Sequence, residues 1–519
     1  MLTRTPGNAS SCRTLFAAGT IVPGQVLVKA PEHVLLSTAS ARRSGLKLDD
    51  KAQDLTPTQA LAAHLLHEVA KGSKSKWSLY LRQLPRSYNT LCTFSLHEAR
   101  QLQVAYAVET ATAAADTSNN EWRRIKPFLA ALGLPHKFCS KPAWLWAIST
   151  LASRTMHDPR DPAGSLMPFG DLFNHTPPAA PTEPSFGPQP PSSTGQETVV
   201  NSSGDGYLDL HDNVYRLYAH RGYTAGEEVF LSYGALSNLD LLEHYGFVLE
   251  DNSHDRALLD PTWLKGCHPP APHAACWLHP SGRPSWELLS LLRQMFASAA
   301  QERSRRHLAA EGKRIGRHSE MAVCKCLQAA CRTALSLLPT SLDHDLALMA
   351  RPEQCQAQEA VVCSETPRCK TTASEQGYGS MPPDPALTGL EQDAAVANDI
   401  NPAADTGLAG LEHPAVPGNA MKRGLACSVK LSGPWASSSI SPTAGICISA
   451  SEDPAMPDTS LKGGQSCSVR LAAAETPAPS FTENEVLALR WRIEYKRVLM
   501  RAYNLAAEIM RSELDEGHH

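Results

Sequence analysis

Aromatic side chains are scarce in this 519-residue chain, with 11 Phe, 12 Tyr and 9 Trp, so a place where tyrosines gather stands out. Long apolar runs are missing too. Residues 288–296 come nearest, but Ser290, Arg293 and Gln294 interrupt them and they fall far short of the roughly 20 residues a membrane helix needs; no membrane association is expected. Surplus charge is also lacking: 48 Lys+Arg against 52 Asp+Glu leave a net charge of −4, which gives no bulk electrostatic reason to expect nucleic acid as a partner. No G-x-G-x-x-G follows a strand-like stretch, so a Rossmann-type fold is not expected. The 14 cysteines lack the compact spacing of a small secreted framework. That points to reduced thiols and to a cytoplasmic or nuclear location, with a plastid as the other compartment.

What is there concentrates in residues 227–247, Glu-Glu-Val-Phe-Leu-Ser-Tyr-Gly-Ala-Leu-Ser-Asn-Leu-Asp-Leu-Leu-Glu-His-Tyr-Gly-Phe. Residues 228–232 alternate as a half-buried strand does, and Gly234 permits a tight exit from it. Leu239, Leu242 and Tyr245 then recur at helical intervals behind a Ser237 or Asn238 cap, and Gly246 stops the helix. Tyr233 at the strand end and Tyr245 on the helix are thereby able to approach one cavity. A second block, Leu-Met-Pro-Phe-Gly-Asp-Leu-Phe-Asn-His at residues 166–175, lies upstream.

These two blocks, in this order, resemble the SET domain, the lysine methyltransferase fold. The resemblance is nearest to the branch of the Rubisco large-subunit lysine methyltransferase, in which a SET core carries a helical insertion and is followed by a helical substrate-binding domain. It implies an α+β fold: a SET domain over residues 1–254 with an insertion at about 56–156, then a helical domain over 255–519. It also implies S-adenosylmethionine as cofactor and a protein substrate, non-histone, with an acceptor lysine, acted on by a monomer. By position in the family's pattern, Tyr233 is the catalytic phenol. Asn174, His175, Arg13 and Tyr233 line the cofactor groove, and Arg154, Asp171 and Tyr245 contact substrate. One departure bears on cofactor affinity: the family's usual Gly-x-Gly before the first strand is replaced by Cys12-Arg13-Thr14. Two other readings stay open, a histidine acceptor and a SET module that binds without catalysis.

The remaining chain fits this plan. Residues 1–29 carry Arg4, Arg13 and Lys29 without an acid, as transit peptides do. Residues 14–21 and 25–29 nevertheless read as strands around Val22-Pro23-Gly24, so folded domain is expected from the start. Helical periodicity fills 56–156 and ends in Ser153-Arg154-Thr155. Residues 176–204 are a Pro-, Ser- and Thr-rich surface loop. Residues 207–210, 214–219 and 228–232 read as a three-stranded meander. Trp286, Leu289, Met295 and Phe296 suggest one helical stripe, and Val323, Leu327, Ala334 and Leu338 another. Residues 352–480 have the composition of a disordered insertion, within which Lys422-x-Gly-x-x-Cys427 recurs as Lys462-x-Gly-x-x-Cys467. Thr482-x-x-Glu485 then opens a helix with the stripe Leu487, Trp491, Tyr495, Val498, Ala502, Leu505 and Ile509, expected to pack back across the insertion. Cys324-x-Cys326-x-x-x-x-Cys331 has zinc-like spacing but sits in a helical pattern, where residues two apart face nearly opposite ways; no metal is expected.

Overall fold

Short alternating runs give short strands here, each cut off within two to six residues, while the longer 3.6-residue periodicities give the helices that carry most of the core. The computed structural model describes residues 2–3, 14–44, 55–181, 183, 186, 206–264, 276–297, 300–350 and 481–515. Arg13 and residues 352–480, with their duplicated motif, lie outside them. The fold is α+β.

The strands form small sheets. Val26–Pro31 pairs antiparallel with Val214–Tyr218, which pairs in turn with Tyr207–Asp209. The expected meander therefore ends after two strands. The third stretch shrinks to Phe230–Leu231 and pairs parallel with Asn174–His175 instead. This substitution of partners is what builds the site, because it sets the two motif blocks side by side. The sheets share an apolar core of Leu15, Leu35, Met167, Phe173, Tyr215, Leu217 and Leu231.

The insertion is helical as expected. Pro57–Ala70 opens with a Thr56/Gln59 capping box and Pro at its first position. Ala105–Ala131 and Lys141–Arg154 follow, and Leu61, Leu65, Trp77, Ile125 and Trp144 form their common core. Thr155 and Met156, expected in the last helix, begin the strand Thr155–Asp158.

In the second half Trp286–Phe296 buries Leu288, Leu289 and Leu292, while Trp286 is 44% exposed. Leu289, Met295 and Phe296 of the expected stripe do join the core, so only Trp286 departs from it. Val323, Leu327 and Ala334 of Arg317–Leu337 are buried as expected. The helix Glu483–Asp515 lays its stripe mainly on Arg317–Leu337. It touches the insertion through Thr482 Oγ1 donating to Glu98 (2.8 Å) and Arg492 donating to the Gln101 carbonyl (2.8 Å). A buried carboxylate, Asp345, accepts from both Arg492 (2.8 and 3.0 Å) and Lys496 (2.5 Å) and fastens this helix to Leu342–Met349.

Cys324, Cys326 and Cys331 all lie buried on Arg317–Leu337, about 200° apart around the axis for the first two. Among the described residues no cluster of three or more His, Cys, Asp or Glu converges on a metal position. Burial pushes the thiols of Cys324 and Cys331 up to about 12, which leaves almost no thiolate at neutral pH. Iodoacetamide at pH 8 is therefore expected to leave both unmodified in the folded chain and to label them only after denaturation, as peptide mass mapping would show.

Candidate functional site

Ser237 caps the helix Asn238–Tyr245 through a reciprocal box with Asp240, and Gly246 ends it at φ +75°, a left-handed conformation that favours glycine. With Phe230–Leu231 held against Asn174–His175, Tyr233 leaves its strand next to His175, and its backbone N–H donates to His175 Nδ1 (3.0 Å). The Tyr233 ring is sandwiched. His175 stacks on one side (4.9 Å, 25°) and Tyr245 stacks at 4.8 Å and 19°. Phe247 stands edge-on to Tyr245 at 6.2 Å. The Tyr233 hydroxyl donates to the Phe173 carbonyl at 2.6 Å, which aims it along the backbone of the second motif block.

That block also carries Asp171, whose side chain is only 1% exposed and pairs with Arg154 at 3.0 Å. Arg154 also donates to the Asp171 carbonyl (3.0 Å) and to the Tyr88 hydroxyl (3.2 Å), and Tyr80 donates to Asp171 Oδ2 (3.0 Å). Burial pushes Asp171 above the ordinary carboxylate range, with Arg154 pulling it back. Burial and the neighbouring Asp171 raise the Tyr80 phenol well above its usual value. Asp171 Oδ1 meets no hydrogen-bond partner among the described residues. Arg154 thus ends its helix pointing inward at a carboxylate.

Asn174, half-exposed, donates its amide to Glu228 Oε1 (2.7 Å) and to Thr14 Oγ1 (3.4 Å). The sequence-derived residues accordingly fall into three touching groups: the stack His175, Tyr233 and Tyr245; the pair Arg154 and Asp171; and Asn174 with its neighbours. Tyr80, Tyr88, Glu228 and Thr14 were not anticipated as site residues. Nothing in the local pattern around Tyr80 marks a contact 91 positions away.

The Ser-Asn of the first block has a structural job. Asn238, fully buried, donates from Nδ2 to the Leu249 carbonyl (3.0 Å) and to Asp255 Oδ2 (2.9 Å), and accepts from the Leu249 N–H (3.0 Å). Burial pushes the Asp255 carboxyl up to about 6 in spite of the backbone N–H groups of Asn238 and Arg256. A carboxyl whose folded pKa is raised binds its proton more tightly in the folded state, so stability falls as pH rises from about 4 to about 6 and is flat above. The difference in melting behaviour between the parent and Asp255→Asn should change across that window by on the order of 2–3 kcal/mol and by little at pH 7–8.

Comparison with known proteins follows this geometry. A family described as Rubisco LSMT substrate-binding matches residues 240–364. Protein SET DOMAIN GROUP 40 of Arabidopsis thaliana is 37% identical over 360 residues, covering 67% of this chain and 73% of that protein. The chain belongs to the SET-domain protein methyltransferase family, in its Rubisco LSMT-like branch. The actin-histidine N-methyltransferase of Homo sapiens is 27% identical over 255 residues, which span 47% of this chain and only 39% of that enzyme. The crystal structure of the SET domain of LSMT bound to lysine and AdoHcy shares 19% identity, over 65% of this chain and 77% of that one, with a TM-score of 0.44.

Proposed function

We propose that the chain is an S-adenosylmethionine-dependent protein-lysine N-methyltransferase acting on a non-histone protein. The observation that carries this reading is Tyr233, its ring stacked with His175 and Tyr245 and its hydroxyl fixed on the carbonyl of Phe173, which stands in the chain between Asp171 and Asn174. Asn174 and Glu228, both partly exposed, and the buried Thr14 bring an amide, a carboxylate and a hydroxyl together, a set of polar groups that suits the amino-acid and ribose ends of the cofactor. Arg13, in the middle of the Cys12-Arg13-Thr14 stretch, is assigned to the cofactor by the family's pattern on this reading. The cofactor supplies an electrophilic methyl group.

The chain's own residues supply orientation. An acceptor ammonium has no lone pair until it loses a proton near its usual pKa of ~10.4, and enclosure by Tyr233, Tyr245 and Phe247 disfavours the charged form by desolvation. The Tyr233 hydroxyl is a preorganised dipole at the point of transfer, and no protein nucleophile is required. On this reading the enzyme acts as a monomer in the cytoplasm, nucleus or a plastid.

A histidine acceptor is the second reading, favoured by the likeness to the actin-histidine enzyme. Methylation of cell extract with labelled cofactor, followed by mass spectrometry of the modified peptide, decides between them; a modified histidine in place of lysine overturns the lysine reading. The pH profile gives an independent check. A lysine acceptor keeps accelerating up to pH 9, whereas an imidazole levels off above about 6.5.

A further inference from the structure

The turn that leads into Asp171 is made from an unsuitable residue. Met167, Pro168, Phe169 and Gly170 form a hydrogen-bonded turn, the Gly170 N–H donating to the Met167 carbonyl at 3.1 Å. Phe169 sits at its third position with φ 73° and ψ −33°. A positive φ there defines the type II arrangement, for which Pro at the second place is well suited and Gly or Asn is wanted at the third. A bulky residue at such a φ is a genuine outlier, and outliers of this kind gather where they serve a site. The strain brings no packing in return, because Phe169 is 51% exposed. Met167, the first residue of the turn, is fully buried, and an added Cβ on Gly170 would collide with the Met167 side chain.

Position says what the ring is for. Leu172 N–H donates to the Phe169 carbonyl (3.3 Å), so the turn passes directly into the segment bearing Asp171 and the Phe173 carbonyl that holds Tyr233. Only Gly170 separates Phe169 from Asp171, two steps of chain that span at most about 7 Å. We infer that Phe169 is a specificity residue of the proposed reaction: its exposed ring packs against an apolar side chain of the substrate polypeptide within a few positions of the acceptor. The inference rests on the methyltransferase reading for its context, but its test measures binding and not transfer.

The probe is a set of fluorescent Gly/Ser peptides with a central lysine, and a parallel set with histidine, in which one flanking position at a time carries Leu, Phe, Ser or Asp. Binding to the full chain is read by anisotropy with S-adenosylhomocysteine present. The parent is expected to prefer Leu or Phe over Ser and Asp at one flank by about tenfold. Phe169→Gly should abolish that preference while melting no lower than the parent, since it relieves the positive φ. Equal binding of all peptides, no binding of any, or a preference that survives in Phe169→Gly overturns the proposal. Methyl transfer to the same peptides is measured separately. A Phe169-dependent preference without transfer would leave the docking role standing and sink the enzyme reading.

Discussion

Tyr233→Phe is expected to slow single-turnover methylation of a cell extract on the order of a hundredfold, the usual loss on removing one preorganised dipole, roughly 3 kcal/mol. The phenylalanine ring keeps the stack with His175 and Tyr245, so the local packing survives. What goes is the hydroxyl and its 2.6 Å bond to the Phe173 carbonyl, whose loss should cost only about 1 kcal/mol of stability. The rate loss should therefore far exceed anything the melting temperature explains. Cofactor affinity, measured by calorimetry, should hold. Asn174→Ala is expected to invert this, weakening cofactor binding because Thr14 and Glu228 lose the amide that organises them. A Tyr233→Phe protein that transfers methyl at the parental rate would refute the assignment of Tyr233.

Asp345→Ala is expected to produce the largest stability effect, about 3–5 kcal/mol. Asp345 and Lys496 are wholly buried and Arg492 is 5% exposed, so removing the carboxylate strands two cations without solvent. Burial opposes the charge on Asp345, yet the bonds from Arg492 and Lys496 hold it below the ordinary carboxylate range. A carboxyl depressed in this way contributes stability at neutral pH that is lost as pH falls below about 4. Urea denaturation at pH 7 should show a much lower midpoint for Asp345→Ala, and the double change Asp345→Ala/Lys496→Met should recover part of it. An unchanged midpoint in the single variant would mean the cluster carries no weight.

The sequence disclosed the site better than the framework around it. Tyr233, Tyr245 and the Asn174-His175 pair were legible because their neighbours obey local rules: a strand, a Ser cap, a glycine stop. The parallel pairing of Phe230–Leu231 with Asn174–His175 was not, since two-residue strands have no periodicity to read and the partner is 56 residues upstream. Tyr80 and Tyr88 escaped for a related reason. Each reaches the Asp171–Arg154 pair through a single hydroxyl, and a tyrosine's polar tip leaves no trace in a pattern that registers only its apolar body. Arg154, expected as a substrate contact, is paired inward with Asp171, a partner 17 positions ahead that no helical rule selects.

The helix Glu483–Asp515 closes a core whose other walls, including Arg317–Leu337, are complete by residue 349. During synthesis those walls emerge first and wait. At about 5–20 residues per second, roughly 7–27 s elapse between the two, while the face of Arg317–Leu337 that this helix covers stays open. This is an interval in which a nascent chain is open to self-association or capture by a chaperone. The lag is set by the order of the gene and not by the stability of the finished protein, so slowing translation would lower the folded yield while leaving the molecules that do fold indistinguishable.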